Sequence, residues 1–202
     1  MAPEAERHLV ERLKAGDESA FDLVYEAYRP RLFAFLCRLT RSRDVAEDLL
    51  EETWVRLVGR IDTLRDETRL GGWLFAVARN LALSHLRSRA DEPIPAEDPN
   101  PPEHVVDAGP SPFDTMAARE LDWRLERGLV AMPASYREVL LLVGVHGMSP
   151  TEAAVVCGVR PEALRQRLLR ARDMLARWLR NQDPAGQTAE TLEDRCDQRR
   201  IR

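Results

Sequence analysis

The chain has little of what enzymes and secreted proteins rely on. Its three cysteines, Cys37, Cys157 and Cys196, are far apart and odd in number. That excludes a disulfide framework and a CxxC metal site, and reduced, mostly buried thiols are expected instead. Four scattered histidines offer no paired metal-ligand spacing, and no glycine-rich phosphate loop is present. No metal, no cofactor and no enzymatic activity are therefore expected. No apolar run approaches the roughly 20 residues that a bilayer span needs. The opening MAPEAERHLVERL lacks the apolar core of a signal peptide. The expectation is a cytoplasmic protein with no direct membrane insertion.

Lysine is nearly absent as well. Lys14 is alone among 30 basic residues, so the positive charge is almost all guanidinium, the form suited to bidentate contacts with phosphates and bases. The formal net charge of −4 is unevenly spread. Residues 1–90 carry 15 basic and 15 acidic side chains, whereas 91–118 carry seven acids and no Lys or Arg. Residues 119–180 carry 11 basic and 7 acidic side chains, net +4, and 181–202 carry four and five. An acidic block thus adjoins a basic segment.

The basic segment contains SPTEAAVVCGVRPEALRQRLLRAR at 149–172. Ser149, Pro150 and Glu152 read as a capping box with proline at the first helical position. Ala153, Ala154 and Cys157 give a short helix a small apolar face. Gly158 supplies a left-handed turn, and Pro161 restarts the helix. Leu164, Leu168, Ala171 and Leu175 recur at helical spacing, with Arg165, Gln166, Arg167, Arg170 and Arg172 between them. This is the helix-turn-helix pattern, whose second helix enters the DNA major groove.

The remaining chain also reads as helical. A helix over 4–15 buries Leu9, Val10 and Leu13, and Asp17 caps the next, where Phe21, Val24, Tyr25 and Tyr28 share a face. Pro30 is expected to break or kink that helix. Asp44 and Glu47 read as a second capping box, followed by a core face of Val45, Leu49, Leu50, Trp54, Leu57 and Val58. Asp44, Glu47, Asp48, Glu51 and Glu52 crowd its opening turns. The dipole favours acids there, but five exceed what capping requires. They fit either a solvated helix start or a docking face for a basic partner. A polar loop at 61–72 leads to a basic helix from Trp73 to Arg89 bearing Arg79, Asn80, Ser84 and Arg87. Beyond Thr115, Ala118, Leu121, Leu125 and Leu129 are expected to face inward, and Met132-Pro133 breaks the helix.

Between the two halves, 90–114 holds seven of the 13 prolines. Proline blocks regular structure, so 91–114 is expected to be an extended acidic linker. The fold expected is all-α, with two small helical domains, 1–90 and 115–180, and a disordered tail at 181–202.

In this order, DVAEDLLEETWVRL at 44–57, WLFAVARNLALSHLR at 73–87, MPASYREVLLL at 132–142 and the stretch from SPTEAA to RLLRAR resemble the extracytoplasmic-function (ECF) sigma factors of the sigma-70 family. The resemblance covers roughly residues 9–180. It implies a partner, core RNA polymerase, and promoter-specific initiation. Residues 1–90 would correspond to sigma-70 region 2 and 115–180 to region 4. Asp44, Glu47, Asp48, Glu51 and Glu52, with Trp54, would dock on the β′ clamp helices, and the second domain would meet the β flap. Trp73, Arg79, Asn80, Ser84 and Arg87 would hold the −10 element as single strand, where a flipped base needs a pocket and edge hydrogen bonds. Arg160, Glu162, Ala163, Arg165, Gln166, Arg167, Arg170 and Arg172 would lie at the −35 duplex, on base edges or phosphates. An anti-sigma factor is a further implied partner.

The chain departs from the family pattern at Ser84, where Asp is usual, and at Arg160, where Ser or Thr is usual. Ala163, Arg165 and Gln166 stand near the usual Thr, Lys and Ser. Two promoter elements about 17 base pairs apart, at about 3.4 Å each, lie about 55–60 Å apart. A flexible coil of residues 91–118 averages about 30 Å, whereas proline-rich extension reaches about 85 Å. The alternatives are a stand-alone helix-turn-helix regulator, which leaves the helices at 44–58 and 73–89 idle, and a sigma-like adaptor that docks without initiating transcription.

Overall fold

The computed structural model describes residues 3–64, 69–90 and 116–182. The linker at 91–114, the tail beyond Gln182 and Cys196 lie outside them. Among the described residues every regular element is helical. The order is α1 (Pro3–Lys14), α2 (Glu18–Thr40), α3 (Arg43–Arg60), a 3-10 turn (Ile61–Thr63), α4 (Leu70–Ala90), α5 (Met116–Val130), α6 (Ala134–Leu140) running into a π segment (Leu141–Val145), α7 (Pro150–Cys157) and α8 (Pro161–Asn181).

Local chemistry sets the first boundaries. The Asp17 side chain accepts from the Ser19 and Ala20 amides at the start of α2, and Arg12 of α1 donates to the same carboxylate at 2.8 Å. Hydrogen bonds from the Ser19 hydroxyl and Arg12 hold that carboxyl down to about 2. Pro30 does not break α2, which continues from Glu18 to Thr40. Fully buried Leu32, Phe35, Leu36 and Leu39 follow it, so packing outweighs the lost amide donor. Arg41 ends the helix in the left-handed region, φ 64°, its amide donating to the Cys37 carbonyl. The chain is then extended at Ser42, and Ser42 caps α3 by accepting from the Val45 amide. The expected Asp44–Glu47 capping box is therefore not formed. Asp44 lies inside the first turn, and Glu47 pairs with Arg43 at 3.1 Å.

Two glycines sit where helices touch. A Cβ on Gly71 would stand 2.9 Å from the Tyr28 hydroxyl, and one on Gly128 would stand 2.6 Å from Leu175 Cδ1 and 3.0 Å from the Trp178 ring. Gly128 thereby lets α5 lie close against α8. Two expected core positions are not in the core. Val58 is 64% exposed and Leu121 is 51% exposed.

Helices α1–α4 and α5–α8 form two groups that pack on each other, chiefly α4 on α7 and α2 on α6. The buried apolar residues run continuously from one group into the other. Cys37 and Cys157 are free and buried, as expected, and burial pushes each thiol up to about 11.

Candidate nucleic-acid and docking interfaces

The helix-turn-helix forms from its own capping chemistry. Ser149 Oγ accepts from the Glu152 amide, and Glu152 accepts in return from the Ser149 amide at 3.0 Å. Gly158 closes α7 at φ 64°. Arg160 occupies the N-cap of α8 with no side-chain cap bond. Leu164, Leu168 and Ala171 turn α8 inward. The opposite face carries exposed Glu162, Ala163, Arg165, Gln166, Arg170 and Arg172. Arg167 departs from this set. It is half-buried and donates to Glu138 Oε1 at 3.3 Å.

On α4, exposed Asn80, Ser84 and Arg87 fall at helical spacing on one ridge, with half-buried Trp73 one turn pair earlier. Arg79 lies beside this ridge and turns toward α6. Its guanidinium forks onto Glu138, Nε to Oε2 at 2.7 Å and Nη2 to Oε1 at 3.0 Å, and its Nη1 donates to Asn80 Oδ1 at 3.2 Å. Side-chain exposure is 13% for Arg79 and 1% for Glu138. Burial alone would lower the Arg79 pKa, but the Glu138 hydrogen bonds and charge outweigh it and the pKa is raised.

On α3, Asp44, Glu47, Asp48, Glu51 and Glu52 are all exposed. The stripe continues at the same helical spacing into Val55 and Val58, also exposed. Trp54 is not part of this surface. It is buried, with its ring 5.0 Å from Tyr25 and 6.0 Å from Phe21, because it lies on the core side of α3. Any role of Trp54 in docking is through packing.

Three residues at the junction of the helical groups escape a reading of periodicity. Glu138 is buried between Arg79 and Arg167. Arg137 is buried and donates to the Leu129, Val130 and Met132 carbonyls and also to Arg38 and Leu39 at the end of α2. The π segment carries His146 onto Phe35 and Phe75, with ring centroids 5.8 and 4.8 Å away. The available signal is a charged pair, Arg137-Glu138, set directly against the apolar run VLLLV. Among the described residues no group of His, Cys, Asp and Glu could hold a metal ion, and no helix is long and apolar enough to cross a membrane.

Comparison with known proteins identifies the family. Residues 24–92 match the sigma-70 region 2 family and residues 122–175 match sigma-70 region 4. The chain is 33% identical over 150 residues to the ECF RNA polymerase sigma factor EcfG of Rhodopseudomonas palustris, covering 74% of this chain and 80% of that protein. It is 26% identical to the RNA polymerase sigma-H factor of Pseudomonas aeruginosa, covering 89% and 96%. The fold is similar to that of the sigma factor RpoE of Bartonella quintana, solved in complex with the anti-sigma factor NepR, at a TM-score of 0.64 and 26% identity over 81% of this chain and 98% of that one. Two family matches in the expected order and a one-third identical relative place the chain among the ECF RNA polymerase sigma factors of the sigma-70 family.

Proposed function

We propose a division of labour for this ECF sigma factor, which binds core RNA polymerase and directs promoter-specific initiation. Residues 1–90 form the docking and −10 unit, and 115–180 form the −35 unit. The observation that carries this reading is the separation of charge between exposed faces. The α3 stripe is acidic and ends in exposed valines, whereas the free face of α8 is rich in arginine.

Asp44, Glu47, Asp48, Glu51 and Glu52 steer a basic partner surface, the β′ clamp helices, and Val55 and Val58 supply apolar area once contact is made. Asn80, Ser84 and Arg87, with Trp73 and Arg79, hold the −10 strand. Asn80 is the base-reading candidate, since an exposed side-chain amide both donates and accepts. Arg165, Gln166, Arg170 and Arg172 face the −35 duplex, with Arg160, Glu162 and Ala163 at the helix start. The β flap is the second core contact, made by the α5–α8 group. A sigma factor of similar fold bound to an anti-sigma factor supports an anti-sigma partner here. All of these partners act in the cytoplasm.

Run-off transcription with purified core polymerase tests the reading. Initiation that depends on this chain is expected, together with weak duplex binding in the absence of core. Tight duplex binding without core, and no initiation with it, would instead identify a stand-alone regulator.

A further inference from the structure

The outward side of α8 is not uniformly basic. At helical spacing, Glu162, Gln166, Leu169 and Asp173 fall on one ridge opposite buried Leu164, Leu168 and Ala171. All four are exposed, and none is basic. Exposed arginines flank the ridge, Arg165 and Arg172 on one side and Arg170 and Arg177 on the other. Among the described residues of α8, Leu169 alone is a large apolar side chain left open to solvent, at 62% exposure. The packing face is already supplied by Leu164, Leu168 and Ala171, so Leu169 adds nothing to the core.

This arrangement suits the major groove of a duplex. The two flanks of a helix laid in the groove approach its phosphate walls, where guanidinium groups serve. The central ridge approaches the floor, where base edges are presented. Glu162 and Gln166 can form hydrogen bonds with those edges. Leu169 cannot, and the apolar group that the floor offers is the 5-methyl of thymine. Set against an amino or carbonyl edge, the leucine would exclude water and leave that group unpaired. Neighbouring charges bound the ridge. Glu162 meets Arg165 at 3.6 Å, which offsets the acid at the end entering the groove. Asp173, one turn beyond Leu169, would meet phosphate with like charge, so the reading ridge ends at Leu169. From Glu162 to Leu169 the helix rises about 10 Å, the length of about three base pairs.

We propose that Leu169 is a specificity-determining residue of promoter recognition, reading the 5-methyl group of a thymine in the −35 duplex. The inference rests on the proposed −35 role of α8 and adds to it a base preference that phosphate contacts do not give. It also separates the work of the two kinds of side chain on this face. The flanking arginines hold the duplex, and the ridge between them selects its sequence.

The test uses holoenzyme assembled from purified core polymerase and the full chain. Promoters are selected from a library randomised over both promoter elements. Each thymine of the selected −35 element is then replaced by deoxyuridine, which removes the methyl group alone. Wild-type holoenzyme is expected to select a thymine and to bind about fourfold more weakly when that thymine becomes uracil, the effect of one methyl withdrawn from an apolar contact. Leu169→Ala is expected to bind thymine and uracil alike at that position. Leu169→Met keeps an apolar tip and should keep the penalty. Leu169 is exposed, so neither variant disturbs packing. A selected −35 element without thymine, no uracil effect at any position, or an undiminished effect in Leu169→Ala overturns the role of Leu169 and leaves the −35 reading of α8 standing. A holoenzyme that selects no sequence in the −35 region overturns both.

Discussion

The Glu6 carboxylate accepts a 2.7 Å hydrogen bond from the Gly71 amide, so a residue of α1 caps the first turn of α4. The same oxygen accepts from the Tyr28 hydroxyl at 3.3 Å. Burial and the neighbouring Glu6 charge push Tyr28 up to about 12. Glu6 thus holds the start of the proposed −10 helix in position from 65 residues away. Glu6→Ala leaves a partly buried amide and a buried hydroxyl without their acceptor. A loss of about 1–3 kcal/mol is expected, read as a lower urea midpoint at unchanged slope. An unchanged midpoint would show that the bond carries no net stability.

Gly128→Ala is expected to destabilise, against the usual helix trend. In an exposed helix interior this substitution gains about 1 kcal/mol. Here the new methyl carbon would lie 2.6 Å from Leu175 Cδ1, within a tight α5–α8 contact. Overpacking of this kind costs about 1–3 kcal/mol. Thermal unfolding checks the sign, and a higher melting temperature would mean that Leu175 and Trp178 yield without cost.

The local grammar of this chain was legible in its sequence and the junction was not. Ser149, Glu152 and Gly158 act within a few residues of themselves, so the helix-turn-helix follows from neighbours alone. The cap of α3 was ambiguous because Ser42 and Asp44 are both good caps. The left-handed turn at Arg41 decides for Ser42, and a positive φ at arginine has no local marker. Pro30 misleads because long-range burial of the following turns overrides its local cost. Val58 and Trp54 share an apolar character and lie one turn apart on α3, yet Trp54 is buried and Val58 exposed, and only the contact of Trp54 with Phe21 and Tyr25 distinguishes them. Glu138 and His146 depend on partners about 60 to 110 residues away in a different helical group.

Acidification should loosen the junction through His146. Its pKa is lowered from 6.5 to about 4 by burial first and then by the positive charges of Arg31 and Arg38. Its Nε2 is buried with no hydrogen-bond partner. Above about pH 6.5 the ring is neutral folded or unfolded, and its contribution is complete. As pH falls from 6.5 toward 4, the unfolded chain takes up a proton that the folded chain refuses, and stability is lost. The loss between pH 7.5 and 5 is about 2 kcal/mol. Urea midpoints at the two pH values measure it. His146→Phe removes the titrating group, so the difference between wild type and variant isolates this residue, and equal pH slopes would exclude it.

Charge reversal on α3 should weaken core binding without harming the fold. Asp48 and Glu51 are exposed and lie on the stripe that leads to Val55 and Val58. Exposed charges contribute about 0–1 kcal/mol to stability. Asp48→Lys/Glu51→Lys is therefore expected to keep its melting temperature within a few degrees. Its association rate with core polymerase should fall, most at low salt, where steering is strongest. An unaffected rate would assign the acidic stripe to solvation alone.

The arginines of α8 should separate into two kinds on promoter DNA, measured with the holoenzyme. Arg165 lies in the second turn of the helix and is exposed, close to the end expected in the groove, whereas Arg172 is two turns further along. If Arg165 reads a base, Arg165→Ala costs about 1–3 kcal/mol and relaxes preference at one −35 position. If Arg172 holds a phosphate, Arg172→Ala weakens all sequences alike and reduces the salt slope by about 1. Arg167 supplies the internal control. Its guanidinium is committed to Glu138, so Arg167→Ala is expected to lower the melting temperature more than either exposed variant. Equal stability of all three variants would mean that the Glu138–Arg167 contact contributes nothing to the fold and that Arg167 is available to DNA.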